Sequence, residues 1–224
     1  MSSNPEMRAA EAEIEARDDD LRDLPTLLDW RRRVATLYNE VRAEPDQRRA
    51  WEHWRAARDQ LIGSHPQSPL DAEGRARFQG LPYFDYDPAY RVTAAIVRKD
   101  PIDCEIGTSR WSSYRFTRFA TAEFELLGRQ LSLDCFWLEG YAGGLFLPFG
   151  DPTNGASTFA AGRYLLDTAK GADLGWDDET LVLDFNFAYN PSCAYHPRWV
   201  CPLTPIENRL STPIEAGERL LPAG

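Results

Sequence analysis

The sequence predicts an α+β fold, with an N-terminal helical hairpin packed on an antiparallel β barrel or sandwich. In the first third of the chain, apolar residues recur at steps of three and four, which is the period of a helix with one buried side. From about residue 90 the period changes to two. The segments with this second period follow one another without helices between them, which favours an antiparallel sheet over a doubly wound fold.

The predicted hairpin occupies residues 27–63. Pro45 ends its first helix, Asp46 can cap the second through its side-chain oxygens, and Gly63 can end it. Each helix carries an apolar stripe, formed by Leu27, Trp30, Val34, Leu37, Tyr38 and Val41 in the first and by Trp51, Trp54 and Leu61 in the second. The two stripes predict one shared aromatic face.

Two further parts flank the hairpin. Residues 1–26 are charged and poor in aromatic residues, so we expect a flexible acidic tail. Residues 64–224 form the predicted β-rich domain, which ends in a closing motif rich in proline, cysteine and asparagine. Its strands are expected at Tyr90–Val97, Glu123–Leu127, Leu131–Trp137 and Leu181–Phe185, with a tight turn at Gly128–Arg129. The glycine cluster Gly140–Ala156 predicts turns, because no helix signature follows it that could hold a phosphate.

Composition excludes several partner classes. The net charge of −10 and the pI near 4.8 argue against nucleic acid and anionic membranes, which require clustered Lys and Arg. No apolar run reaches the length of a membrane span, and no secretory signal is visible. Four cysteines in 224 residues do not make a disulfide framework, so we expect free thiols and a cytoplasmic location. The sequence leaves the oligomeric state open, including a homo-oligomer.

The closing motif, DFNFAYNPSCAYHPRWVCPLTPIENRL, runs from Asp184 to Leu210. Alternation along the strand Leu181–Phe185 places Asp184 and Asn186 on one face within apolar surroundings. A carboxylate there must be paired or hydrogen-bonded, and Arg163 or Arg209 could supply the cation. One interpretation is therefore structural: an ion pair, with asparagines that satisfy the backbone groups of the loop.

The other interpretation opens the same residues to a ligand. Arg163 and Arg209 would anchor a small anion. Asp184, Glu207 or His196 would act as acid or base. The residues that would orient or enclose the ligand are Asn186, Asn190, Tyr195 and Asn208. Periodicity does not separate this interpretation from the structural one.

A metal and a flavin were weighed as cofactors. Cys193, His196 and Cys201 have side chains that zinc can bind, but the second cysteine-rich half of a zinc knuckle is missing, so we predict no metal. A flavin-binding split barrel belongs to the predicted fold class, although no sequence feature demands a flavin. The cofactor is left unassigned.

The chain resembles the uncharacterised family catalogued as domain of unknown function 1684, over about residues 27–220. The resemblance rests on WRAARD (54–59), LPYFDYDPAYRV (81–92), LFLPFGDPTNGASTFAAGRYL (145–165), ASTFAAGRYLLDT (156–168) and LVLDFNFAYNPSCAYHPRWVCPLTPIENRLSTPIEAGE (181–218). It implies no activity. The family's Tyr-Gly-Gly-Gly before Arg163 is Phe159-Ala160-Ala161-Gly162 here, and its proline pair after the second cysteine is Thr204-Pro205. This chain therefore lacks a phenol and some of the backbone freedom that the resemblance implies.

Two functions follow as hypotheses. The first is a cytoplasmic small-molecule enzyme or binder that acts on an anionic metabolite through the Arg163–Arg209 motif region. The second is a structural or interaction module in which the closing motif only rigidifies the fold and the aromatic face of the second helix contacts a partner.

Overall fold

The computed structural model describes residues 5–177 and 179–221. In this part of the chain, helices precede a run of six strands, which confirms the α+β class. The helices are α1 (Pro5–Ala43), α2 (Gln47–Ser64) and α3 (Ala72–Arg77). The strands are β1 (Arg91–Gly107), β2 (Ser113–Leu126), β3 (Arg129–Leu138), β4 (Gly144–Phe149), β5 (Arg163–Asp167) and β6 (Thr180–Asp184).

The helical hairpin forms where the sequence predicts it. Helix α1 ends at Ala43, just before Pro45, and the side chain of Asp46 caps α2 by accepting hydrogen bonds from the backbone N–H groups of Arg48 and Arg49. Helix α1 begins at Pro5, well before the predicted start at Leu27. The flexibility expected of residues 1–26 stays a prediction, and residues 1–4 lie outside the described part of the chain.

The aromatic face of α2 belongs to the core. Trp54 is fully buried and packs against Tyr83 and Phe187. Trp51 is also buried, and its indole N–H donates to the backbone oxygen of Asn186 at 2.9 Å. The prediction that this face contacts a partner protein is therefore wrong, because the fold itself covers it.

The six strands form one antiparallel sheet in the order β5-β4-β3-β2-β1-β6, curled into a half-barrel. The long hairpin of β1 and β2 lies between β3 and β6, and each of its strands is interrupted by a bulge. The β2–β3 turn is formed by Leu127 and Gly128, both with positive φ, one residue earlier than predicted. Strand β4 lies inside the glycine cluster that was predicted to form only turns.

The chain after β6 closes the open side of the half-barrel. We name residues 185–221 the C-terminal strap. Its Tyr189 exchanges two backbone hydrogen bonds with Tyr164 on the free edge of β5, at 2.9 and 3.0 Å. Further along, the backbone of Gly150 bonds to that of Asn208 and Leu210. The strap thereby continues the hydrogen bonding of the sheet beyond its last strand.

The core has one large and two smaller clusters. The large cluster lies between the sheet, the helical hairpin and the strap. A second cluster, formed by Ile106, Phe116, Phe136, Phe146 and Tyr164, lies toward the end of the β1–β2 hairpin. A third lies beside α2 and includes Ile62, Leu70 and Leu81. Across residues 5–177 and 179–221, no helix has the length and apolar character needed to cross a membrane.

Gly162 is a point of close approach between the strap and the sheet. Its φ is 94°, and a Cβ added there would lie 2.2 Å from Thr204 Oγ1 and 2.7 Å from the Phe149 carbonyl oxygen. Backbone strain and overpacking should together lower the free energy of unfolding of Gly162→Ala by about 3 kcal/mol or more. Urea denaturation followed by circular dichroism measures this change.

Gly128→Ala is the matched control. Gly128 also has a positive φ, but nothing lies within 4 Å of its added Cβ, so only the strain of about 1–2 kcal/mol should remain. Equal losses in the two variants would show that the contact with Thr204 is not tight.

Candidate functional site

Arg163 is the buried anchor of the strap rather than an open ligand site. It begins β5, its side chain is 0% exposed, and its Nη2 donates to Asp151 Oδ2 at 3.1 Å and to the Ile214 carbonyl at 2.9 Å. Its Nη1 donates to the carbonyls of Ala216 and Glu218. Burial lowers the pKa of Arg163, and the Asp151 carboxylate opposes that effect. The guanidinium thus binds a carboxylate of the chain and three carbonyls of the strap.

A second buried cluster surrounds Glu218. This carboxylate is 0% exposed and accepts hydrogen bonds from Arg58 Nη2 at 2.8 Å and from the backbone and side-chain nitrogens of Asn190, both at 3.1 Å. The Tyr195 hydroxyl donates to the same carboxylate. Burial raises the pKa of Glu218, while Arg58 counteracts the shift. Sequence reasoning named Asn190 and Tyr195 but missed Glu218 and Arg58.

Asp184 is paired, but with neither cation that the sequence suggested. Its Oδ1 accepts hydrogen bonds from the backbone and side-chain nitrogens of Asn186, at 3.0 and 2.8 Å. Its other oxygen lies 3.4 Å from Arg91 Nη1. Asn186 also exchanges two hydrogen bonds with the backbone of Asp87. Burial raises the pKa of Asp184, and the Asn186 and Arg91 contacts oppose that shift.

Asn208 ties the strap to the middle of the sheet. Its side chain bonds the backbone N–H and C=O of Asp134 at 2.9 and 3.0 Å and donates to the Pro148 carbonyl at 2.8 Å. Its neighbours Glu207 and Arg209 are exposed. The buried asparagine therefore has the structural role that the first interpretation assigned to these residues.

The nine candidate residues do not surround one cavity. Arg163, Asp184 and Asn208 have their polar groups in separate internal networks. Glu207 and Arg209 line a surface trough beside Ser132. His196 is half-buried at another part of the strap, with its Nε2 3.7 Å from Asp71 Oδ2.

The predicted thiols are free, and two of them meet. The backbone N–H of Cys193 donates to Cys201 Sγ at 3.3 Å. His196 does not join them, since its ring is turned toward Asp71. Among the residues that the structure describes, no group of three or more His, Cys, Asp or Glu side chains is placed to hold a metal ion.

An open cleft lined in part by the motif has a volume of about 330 Å³. It lies between the β1–β2 hairpin and the segment 203–207 of the strap. Its walls are mostly apolar, and its charged residues are Arg118, Glu105 and Glu207. The apolar wall is formed by Ile102, Cys104, Ile106, Phe136, Leu203 and Ile206. We name it the Arg118 cleft.

The carboxylate nearest to Arg118 is shared with a second cation. Arg118 Nη1 lies 3.2 Å from Asp134 Oδ2, and Lys99 Nζ lies 3.4 Å from the other oxygen of the same carboxylate. Thr121 donates a third contact to Asp134. The Nε of Arg118 is buried and has no hydrogen-bond partner. The same holds for the Nε atoms of Arg55 and Arg163, so this feature alone does not distinguish Arg118.

The two departures from the family pattern touch each other. The backbone N–H of Thr204 lies 3.4 Å from the Ala161 carbonyl oxygen, and its hydroxyl lies 3.4 Å from the Phe149 carbonyl oxygen. Thr204 also lines the Arg118 cleft. The altered positions therefore lie together at one side of that cleft.

Replacing Arg163 by Met would leave Asp151 buried without its cation. We expect Arg163→Met to lower the free energy of unfolding by about 3–5 kcal/mol. The exposed Arg209 provides the control, because Arg209→Met should change it by about 0.5 kcal/mol or less. Urea denaturation measures both, and equal stabilities would contradict a structural role of the Arg163–Asp151 pair.

Asp184 should give the stability a specific pH dependence. Because its folded-state pKa is raised above the ordinary 3.8, its contribution is fully present below 3.8 and is lost as the pH rises through the folded-state pKa. Asp184→Asn removes this titration. The stability of the wild type minus that of the variant should therefore decrease with rising pH, as measured by urea denaturation at several pH values. A difference that grows with pH would contradict the raised pKa.

The comparisons with known proteins agree with the motifs quoted for the resemblance. The model of the protein family of unknown function DUF1684 matches residues 76–219. The chain is also similar to an uncharacterised protein of Haloarcula marismortui whose solution NMR structure is known, with 35% identity and a TM-score of 0.59 over 78% of this chain and 94% of that chain. A search of the curated proteins gave no match. Since the family model covers more than half of the sequence, this protein belongs to the DUF1684 family.

Proposed function

We propose that this protein binds a small anionic metabolite in the Arg118 cleft, at the edge of the motif region. The observation that carries the proposal is the Arg118 guanidinium, which lines a mostly apolar cleft and shares its nearest carboxylate with Lys99. Small-molecule sites commonly combine a mostly apolar lining with a few polar groups that fix the ligand's orientation. The ligand class that fits has a carboxylate or phosphate group attached to an apolar body.

Charge supports the choice of an anion for the inner part of the cleft. Arg118 and Lys99 share the single carboxylate of Asp134, which therefore balances only one of these two cations. Glu105 and Glu207 also line the cleft and would repel an anionic group that lies close to them. They favour a ligand whose opposite end carries hydroxyl or amino groups that donate hydrogen bonds.

In this proposal the strap supplies the wall of the site and Arg163 supports it from within. The strap segment 203–207 contributes Thr204 and Glu207 to the cleft, while Arg163 fixes the strap's later residues through three carbonyls. We further propose that the protein acts in the cytoplasm, which the four free thiols support.

A second candidate is a structural module in which the strap only rigidifies the fold. The specific observation in its favour is that the polar groups of Arg163, Asp184 and Asn208 bond mainly within the chain. Under this alternative the Arg118 cleft would have no ligand of its own.

Binding of two probes separates the candidates. Benzoate carries a carboxylate on an apolar ring, and inorganic phosphate carries the charge alone; each is titrated against the purified protein by isothermal calorimetry. We expect saturable binding of benzoate and at least tenfold weaker binding to Arg118→Met, which loses a charge-assisted hydrogen bond of about 1.5–3 kcal/mol.

Arg129→Met is the matched control. Arg129 is exposed at the start of β3 and does not line the cleft, so this variant should bind benzoate as the wild type does. Equal loss in both variants would point to a nonspecific charge effect. If neither probe binds and native mass spectrometry of the purified protein shows the bare chain mass, the structural alternative is preferred.

A further inference from the structure

We propose that Cys193 and Cys201 form a redox-active dithiol, which hydrogen peroxide converts into an intrachain disulfide. The two cysteines stand eight positions apart in the sequence, on either side of the segment 194–200. The Cys193 backbone N–H donates to Cys201 Sγ at 3.3 Å. The backbone of one cysteine therefore already contacts the sulfur of the other before any oxidation.

The surroundings of Cys201 favour its thiolate. Its sulfur accepts a hydrogen bond from the backbone N–H of Cys193 at 3.3 Å. The Lys170 ammonium, which pairs with Asp167 Oδ2 at 3.1 Å, adds a positive charge nearby. The hydrogen bond from the Cys193 thiol is the largest cause that lowers the pKa of Cys201 to about 7, although burial opposes it. The pKa of Cys193 is raised in turn, because the hydrogen bond to Cys201 stabilises its protonated form.

The other two thiols have the opposite character. Burial raises the pKa of Cys135 to about 12 and also raises the pKa of Cys104. Both lie on strands of the sheet, in β3 and β1. They should react slowly with peroxide and therefore serve as internal controls in the same molecule.

The site admits a small oxidant better than a large one. Cys201 is only 5% exposed, whereas Cys193 is half-buried. An apolar cavity of about 150 Å³ lies alongside and is lined by Lys170 and by the two sequence neighbours of Cys201, Val200 and Pro202. Hydrogen peroxide is small enough for such a space, and a protein disulfide is not.

The chemistry balances with peroxide as the only oxidant. The Cys201 thiolate attacks one peroxide oxygen, the O–O bond breaks, and the departing hydroxide takes a proton to give water and a sulfenic acid. Cys193 sulfur then attacks the sulfenic sulfur, the S–O bond breaks, and the departing hydroxide takes the Cys193 proton to give a second water. Two thiols and one peroxide become one disulfide and two waters.

The disulfide would fix a segment that joins the strap to the helical side of the molecule. Between the cysteines, Arg198 donates to the carbonyls of Ser68 and Leu70, and the Trp199 indole donates to the Pro69 carbonyl at 2.9 Å. Closing the loop around these contacts restricts the unfolded chain. Oxidation should therefore raise the melting temperature of the protein.

The test uses the wild-type chain at pH 7, treated with hydrogen peroxide for increasing times, alkylated and digested for peptide mapping. We expect a Cys193–Cys201 disulfide to form first, while Cys104 and Cys135 remain alkylatable. The rate should rise with pH through about 7 rather than near the ordinary thiol value of 9.0. Oxidation of all four cysteines at equal rates, or of Cys104 first, would overturn the proposal.

Two further measurements identify the roles of the two sulfurs. In Cys193→Ser, peroxide should leave a sulfenic acid on Cys201 that dimedone traps; dimedone on another cysteine instead would overturn the assignment. In urea the wild type should lose its selectivity, because the geometry around Cys201 is then absent. Selectivity that persisted in urea would show that the fold does not create the reactivity, again against the proposal.

Discussion

The fold depends on a guanidinium that is removed from water. A buried cation must find acceptors for its donors, and Arg163 finds Asp151 and the carbonyls of Ile214, Ala216 and Glu218. These carbonyls belong to the end of the strap, so the requirement of one side chain fixes the course of the strap over the sheet. Arg58 forms a second buried ion pair, with Glu218, and this pair connects α2 to the end of the strap.

Helix caps and tight turns could be predicted from the sequence, because they depend on residues close together in the chain. The α2 cap at Asp46 and the tight turn before β3 follow from such rules, the turn with an error of one residue. Strands β4 and β5 were not predicted. Every residue in them is buried, so they lack the alternation of apolar and polar residues that marks a half-buried strand. A fully apolar run beside glycines has no signal that distinguishes it from a loop.

For the candidate site, the sequence could not predict which distant residues would contact the motif. Sequence reasoning correctly placed Asp184 and Asn186 in a buried polar network, but the partners of the motif are distant in the chain: Asn190 meets Glu218, and Asn208 meets Asp134. Nothing in the sequence marked Arg118 as a binding residue, since arginines are common on exposed strand positions. It is distinguished by the bulge that follows it in β2 and by its place in the lining of the cleft, which only the fold reveals.

The strap's position in the chain has a consequence for biosynthesis. It follows all six strands, so it leaves the ribosome after them, and during that interval the edge of β5 lacks Tyr189 and Arg163 lacks its three carbonyl acceptors. An uncovered strand edge is prone to pair with other chains. Until the strap has been synthesised, the edge of β5 therefore lacks the backbone partner that covers it in the folded protein.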